Sequence, residues 1–272
     1  VNGTIPAAIG QLGELWALGL DDNELRGTIP EALYTHCTKL EVLLLYYNLL
    51  SGPISSAIGA LTSLTELDLD SNWLSGPIPE ELYAHCTDIE MLYLWGNKLS
   101  GTISPSIDML TSLTDLQLNL NHGINGTIPD ELYTHCTEIE TLYLYGNRLS
   151  GTISPRIGVL ALLTHLDLSD NALRGSIPEE LYTQCGAIEE LHLWGNALSG
   201  TISRSIGMLT ELTDLALFDN ELSGTIPEEL YTRCAELVFL VLDNNTLTGT
   251  LSRGVGQLQW LQWLNLGHNR IA

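Results

Sequence analysis

Basic residues are scarce in this chain: 10 Lys and Arg stand against 33 Asp and Glu, a formal net charge of −23 at pH 7. Without a basic stripe to neutralise phosphates, binding to nucleic acid is disfavoured. Basic partners, calcium or a saline exterior suit such a surface better. No apolar run approaches the ~18 residues of a membrane span, no stretch reads as a signal peptide, and nothing resembles a linker or a low-complexity tail. The sequence also lacks a nucleophile elbow, a phosphate-binding loop and a zinc-protease motif, so neither an enzyme nor a cofactor is expected.

Cysteine is limited to five, Cys37, Cys86, Cys136, Cys185 and Cys234, at intervals of 49, 50, 49 and 49 residues. The number is odd, and copies two coils apart would lie roughly 9.6 Å from one another, beyond the ~7 Å that a disulfide spans. No disulfide is therefore expected. A metal would need the neighbouring histidine, as in "THC" at Cys37 and Cys136, yet the fourth and fifth copies read Gln184-Cys185 and Arg233-Cys234. Cys37 falls three residues before Leu40, where the alternate copies carry leucine itself (Leu61 before Leu64). The slot is a core slot, and free cysteine fills such slots readily. His36, His85 and His135 are then expected on the outer face.

The regular interval marks a repeat protein. Cutting before each Gly of the "GTI" or "GPI" signature gives eleven units, from 3–26 to 249–272. Units of 25 residues such as "GTIPEELYTHCTEIETLYLYGNRLS" alternate with units of 24 such as "GTISRSIGMLTELTDLALFDNELS", a superperiod of 49; an extra residue near "NHGIN" accounts for the single interval of 50. Every unit follows L-x-x-L-x-L-x-x-N-x-L-x-G-x-I, as in Leu64, Leu67, Leu69, Asn72, Leu74, Gly76 and Ile78. Alternating Leu predicts a short strand with one buried face. The Asn predicts a turn in which its side chain satisfies backbone groups, and "IPEEL" predicts a short helical turn with Pro at its first position and acids at its positive end. No unit buries its leucines alone, so neighbours stack. The fold class expected is α/β, a leucine-rich-repeat solenoid over residues 1–272. It is expected to be a single domain cut from a longer chain, because it opens in mid-motif at "VNGTIP" and closes at "LGHNRIA" without the polar caps a solenoid needs.

The "LxGxIP" ending resembles the plant-type subclass of leucine-rich repeats, found in polygalacturonase-inhibiting proteins and in the extracellular domains of plant receptor-like kinases. The resemblance implies an extracellular or cell-surface recognition module with a protein, peptide or polysaccharide ligand. The 49-residue superperiod and the "YTHC" insert depart from the usual pattern and look like recent duplication, in an algal variant of the family.

Residues between the strand leucines project from the concave sheet and read as columns. One column contains Tyr46, Asp70, Trp95, Tyr145, Trp194 and Phe218, and the other contains Asp68, Tyr93, Tyr143, Asp167 and His192. Together they predict an aromatic ladder at about 10 Å intervals, with polar rungs between, as the ligand-binding face. His165 and Asp167 should face Glu190 and His192; a zinc-type ion held by the four is the sharper reading, and cross-strand pairing without metal is the commoner outcome. Sequons at Asn2, Asn125 and Asn244 permit glycosylation of a secreted chain. Two other readings follow from the repetition: a segment of a self-assembling cell-surface fibre or adhesin, and ice binding through the flank threonines from Thr4 to Thr250, interrupted at Pro53, Pro77 and Ser176.

Overall fold

The computed structural model describes residues 2–272 and divides into two compact units, one ending at Ile139 and one starting at Glu140. In the first, the strands Ala17–Gly19, Val42–Leu44, Glu66–Asp68, Met91–Tyr93 and Asp115–Gln117 form a parallel inner sheet in sequence order. In the second, six such strands follow the same rule, from Thr141–Tyr143 to Trp263–Asn265. Each coil adds a second, flank strand that begins after the Asn turn and ends at the Gly-Thr signature, such as Lys98–Thr102 and Glu221–Thr225. Both units are therefore leucine-rich-repeat solenoids, with eleven inner and twelve flank strands among the described residues.

Pairing is in register, Leu43 beside Leu67 and Leu166 beside Leu191, so the central residue of each inner strand from Val42–Leu44 to Phe239–Val241 is a fully buried leucine, while Leu18 and Leu264 on the first and last strands are more open. The turn asparagine acts as its position predicts. Asn72 Oδ1 accepts from Leu50 N–H of the preceding coil at 2.9 Å, while its Nδ2 donates to the carbonyls of Leu45, Leu69 and Asp70 at 2.9 to 3.2 Å. The same bonds recur at Asn97 and Asn220, stitching adjacent coils through groups that would otherwise be buried without partners.

The outer side separates the two repeat types. Long repeats make one turn of α-helix, for example Glu80–His85, and short repeats make a 3-10 turn, for example Pro105–Met109. In the long type the signature proline stands just before the helix rather than at its first position: Pro79 is extended (ψ 140°), and its carbonyl accepts from Leu82 N–H at 3.1 Å. In the short type a serine caps instead, as Ser104 does for Ser106 N–H at 3.1 Å; its hydroxyl donates to Glu80 Oε2 of the preceding long repeat at 2.8 Å. Some of the acid excess therefore ties coil to coil.

All five cysteines are free and fully buried, and each thiol points at the carbonyl of an isoleucine in the preceding 3-10 turn, Cys136 Sγ to Ile107 O at 3.2 Å being the shortest. Burial pushes the Cys136 thiol up to about 12, a packing residue and not a nucleophile. His36, His85 and His135 are exposed beside them. The tyrosine of the same insert turns inward: Tyr34, Tyr83, Tyr133 and Tyr182 are fully buried, and their hydroxyls have no hydrogen-bond partner among the described residues.

Candidate functional site

The inner sheet carries an individual cluster in each unit, not an even ladder. In the first unit Tyr46 and Tyr47 meet edge to face with ring centroids 6.0 Å apart, and Tyr47 meets Trp95 in the same way at 6.2 Å. Tyr47 and Trp95 belong to coils two apart. Tyr47 N–H donates to Asp70 O at 3.2 Å and Ser71 N–H donates to Trp95 O at 3.0 Å, so the backbone of Asp70–Ser71 runs between the two coils while the rings meet across it. Tyr93 Oη donates to Asp115 Oδ2 at 3.1 Å on the neighbouring strand.

Beneath this aromatic roof lie Asp68 and Asp70, only 8% and 4% exposed. The Tyr46 ring lies close enough to feel both carboxylates. Asp70 N–H donates to Asp68 Oδ1 at 3.1 Å, and Asp70 Oδ2 has no partner among the described residues. Burial, and then the adjacent Asp70 side chain, push the Asp68 carboxyl up to about 8.

Tyr47 is a residue that the column reading passed over. It holds φ +48°, where the next three long repeats place Gly96, Gly146 and Gly195. A bulky side chain in the left-handed region costs of order 1–3 kcal/mol and persists only where its surroundings hold it. The substitution is visible in the sequence as a broken column, Tyr47 against "GN" in those three copies.

In the second unit Tyr143 and Tyr145 lie edge to face at 6.3 Å, while Trp194 and Phe218 are stacked, 5.0 Å apart and 6° from parallel. The expected facing pairs form: His165 Nε2 lies 3.9 Å from Glu190 Oε1 and His192 Nδ1 lies 3.5 Å from Asp167 Oδ2. A third carboxylate, Asp214, was not expected. It stands 3.2 Å from His192 Nε2, close but off the line of a well-aligned hydrogen bond. Burial alone would lower the His192 basicity, but the side-chain contacts and charges of Asp167 and Asp214 outweigh it and raise the imidazole to about 10. It is an imidazolium at neutral pH. Asp167 also accepts from the N–H of Ser169 at 2.9 Å and from its hydroxyl. Both His192 nitrogens face carboxylates, and His165 Nδ1 pairs with Thr164 Oγ1 at 2.8 Å, so these side chains are engaged with one another. No group of three or more His, Cys, Asp or Glu side chains placed to hold a metal ion occurs among the described residues.

On the flank the threonine column is packed, not merely exposed. Thr102 Cγ2 sits where a Cβ on Gly126 would meet it at 2.9 Å, and Thr201 sits in the same way against Gly224 at 2.9 Å. These glycines hold φ of +82° and +75°, so both backbone conformation and space require glycine. In the second unit an open trough of about 1500 Å³ runs beside Thr152, Ser176, Thr201 and Thr225, with Glu179 and Glu228 also lining it. All three sequon asparagines are exposed. No helix among the described residues is long and apolar enough to cross a membrane.

The leucine-rich-repeat family model matches residues 63–84, 88–110, 138–160 and 162–183. The crystal structure of a plant ice-binding protein is 30% identical, covers 100% of this chain and 77% of its own, and superposes with a TM-score of 0.66. The chain belongs to the plant-type leucine-rich-repeat family. This plant-type repeat protein is also similar to a TDR receptor (35% identity, TM-score 0.93, 99% of this chain and 46% of that one). It is similar as well to the Arabidopsis receptor kinase HAESA, solved with the peptide hormone IDA and the co-receptor SERK1 (32%, TM-score 0.89, 99% and 48%). It spans a little under half the length of those receptor chains. No curated protein sequence matches it. Within the plant-type repeat, Tyr47 and the His192 triad are departures that repetition does not explain; His192 lies on an inner strand and Tyr47 in the turn that follows one.

Proposed function

We propose that this segment is an extracellular recognition module that binds an extended peptide on the concave strands, with no catalytic role. The observation that carries the reading is Tyr47: this turn position, held at positive φ in coil after coil, is glycine in the next three long repeats and Asp, Ser or Asn in most other coils, and an aromatic there that meets Trp95 edge to face serves a binding face better than it serves the turn. Similarity to a receptor solved with a peptide hormone supports a peptide over a polysaccharide. Exposure of Asn125 and Asn244 is compatible with glycans on a secreted chain.

The test is a peptide array and a cell-wall oligosaccharide array probed with the purified chain, each hit being titrated against Trp95→Ala and Trp194→Ala. Loss of at least tenfold in affinity for a peptide hit is expected in one variant or both. Unchanged binding in both removes the concave face from the reading, and hits confined to the oligosaccharide array replace the peptide.

Ice binding is a second reading, favoured by the threonine rank that glycine packing holds fixed and by the similarity to a plant ice-binding protein. A thermal-hysteresis measurement decides it: hysteresis lost in Thr201→Tyr supports it, and none at millimolar protein ends it.

A further inference from the structure

We propose that the Tyr46–Tyr47–Trp95 cluster above Asp68 and Asp70 takes an organic cation, the guanidinium or ammonium group of a basic ligand side chain. The proposal rests on the concave-face reading and names the chemistry of one of its subsites.

The equivalent short repeat of the second unit supplies the comparison. There Asp167 accepts from both the N–H and the hydroxyl of Ser169, so the buried carboxylate is provided for. In the first unit the corresponding pair is Asp68 and Asp70. The backbone donor remains, but the hydroxyl is replaced by a second carboxylate, and Asp70 Oδ2 is left without a donor although the residue is 4% exposed. Asn119, in the same column on the far side of Trp95, repeats the deficit: it is 2% exposed and its Oδ1 has no partner. Two buried acceptors lacking donors therefore flank one indole. A buried acceptor without a donor costs about 1–3 kcal/mol, more when charged, so such a pair is maintained where something else supplies the donors.

A ligand cation meets every part of this arrangement. Its N–H groups are donors only, its charge answers the carboxylates, and its flat or compact head sits against an aromatic face. The first unit's own lysines are engaged elsewhere, Lys39 with Glu14 and Lys98 over the Trp73 ring at 5.1 Å. The remaining charged and titratable groups around the pair add negative charge or nothing: Glu66 on the same strand, Tyr46 with Asp21 behind it, and Tyr93 bonded to Asp115. Entry requires the exposed Tyr47 ring to swing from Trp95, a side-chain rotation that leaves the backbone turn in place.

The experiment is calorimetric titration of the whole chain with acetyl-Gly-Arg-Gly-amide, with its neutral citrulline counterpart and with calcium chloride. Asp70→Ser, which copies the pairing at Ser169, and the remote Trp260→Ala are titrated in parallel, with circular dichroism to confirm folding. The arginine peptide should bind at least tenfold tighter than the citrulline peptide, and Asp70→Ser should lose at least tenfold while Trp260→Ala stays within twofold. Equal affinity for the two peptides, no arginine binding at 10 mM, or full affinity in folded Asp70→Ser overturns the proposal. Binding of calcium alone, abolished by Asp70→Ser, overturns it in favour of an inorganic cation. Should these outcomes arise while array hits are still lost in Trp95→Ala, the concave-face reading stands without this subsite.

Discussion

Asp70→Ser also provides a stability test that needs no ligand. In the folded chain the Asp68 carboxyl is raised from 3.8 to about 8, by burial first and by the Asp70 side chain next. A group that holds its proton more tightly when folded contributes its full stability below the unfolded value near 4, and that contribution is lost as pH rises toward 8. The ceiling is about 1.4 kcal/mol per pH unit, one proton's worth. Relaxation around a coupled buried pair trims the sum, so a penalty of about 2 kcal/mol at pH 8 is expected in the wild-type chain. Asp70→Ser replaces the second carboxylate with a hydroxyl donor and should remove the part of it that Asp70 causes, leaving the larger part that burial causes. Urea denaturation of both proteins at pH 4, 6 and 8 reads the difference, in which the shared pH dependence of the other acids cancels. The variant should match wild type at pH 4 and exceed it by somewhat under 1 kcal/mol, roughly the Asp70 share, at pH 8. Parallel pH dependence in the two proteins refutes the shared-proton account.

Other consequences are as direct. Tyr83→Phe removes a fully buried hydroxyl that has no partner and should stabilise the chain by about 1 kcal/mol in urea denaturation. The thiol of Cys136 should resist an aromatic disulfide reagent until the chain is unfolded, and Cys136→Ala should cost about 1–2 kcal/mol through the cavity it leaves. His192 should remain imidazolium through pH 8 by imidazole NMR, its stabilisation being present below about 6.5 and lost as pH rises through about 10; Asp214→Asn should lower that midpoint.

Most of the fold was written in the sequence because each coil restates it. The leucine spacing dictates the inner strand, the Asn column dictates the turn, and the Cys slot follows from alignment with Leu61. The local proline rule missed slightly, since Pro79 supplies the carbonyl that starts its helix instead of occupying the first turn. The two site clusters were half legible. Column reading placed Trp95, Trp194 and the pairing of Asp167 with His192 on the inner sheet. It did not foresee that Asp68 and Asp70 are buried, because the exposure of an inner-sheet position depends on the side chains of adjacent coils as well as on its column. Asp214 was missed because it sits in the first strand column, diagonal to His192 on the next strand, and only directly facing residues were paired in the sequence. Tyr47 was legible as a departure from glycine, and its meaning came only from the positive φ and the ring that it places against Trp95.

The measurement that tests the account most directly is calorimetric titration of a peptide taken from the array into the wild-type chain, Trp95→Ala and Trp194→Ala. The account predicts a loss of at least tenfold in one or both variants with melting temperatures little changed. Wild-type affinity in both would place the ligand elsewhere on the molecule and contradict the claim that the concave aromatic clusters form its site.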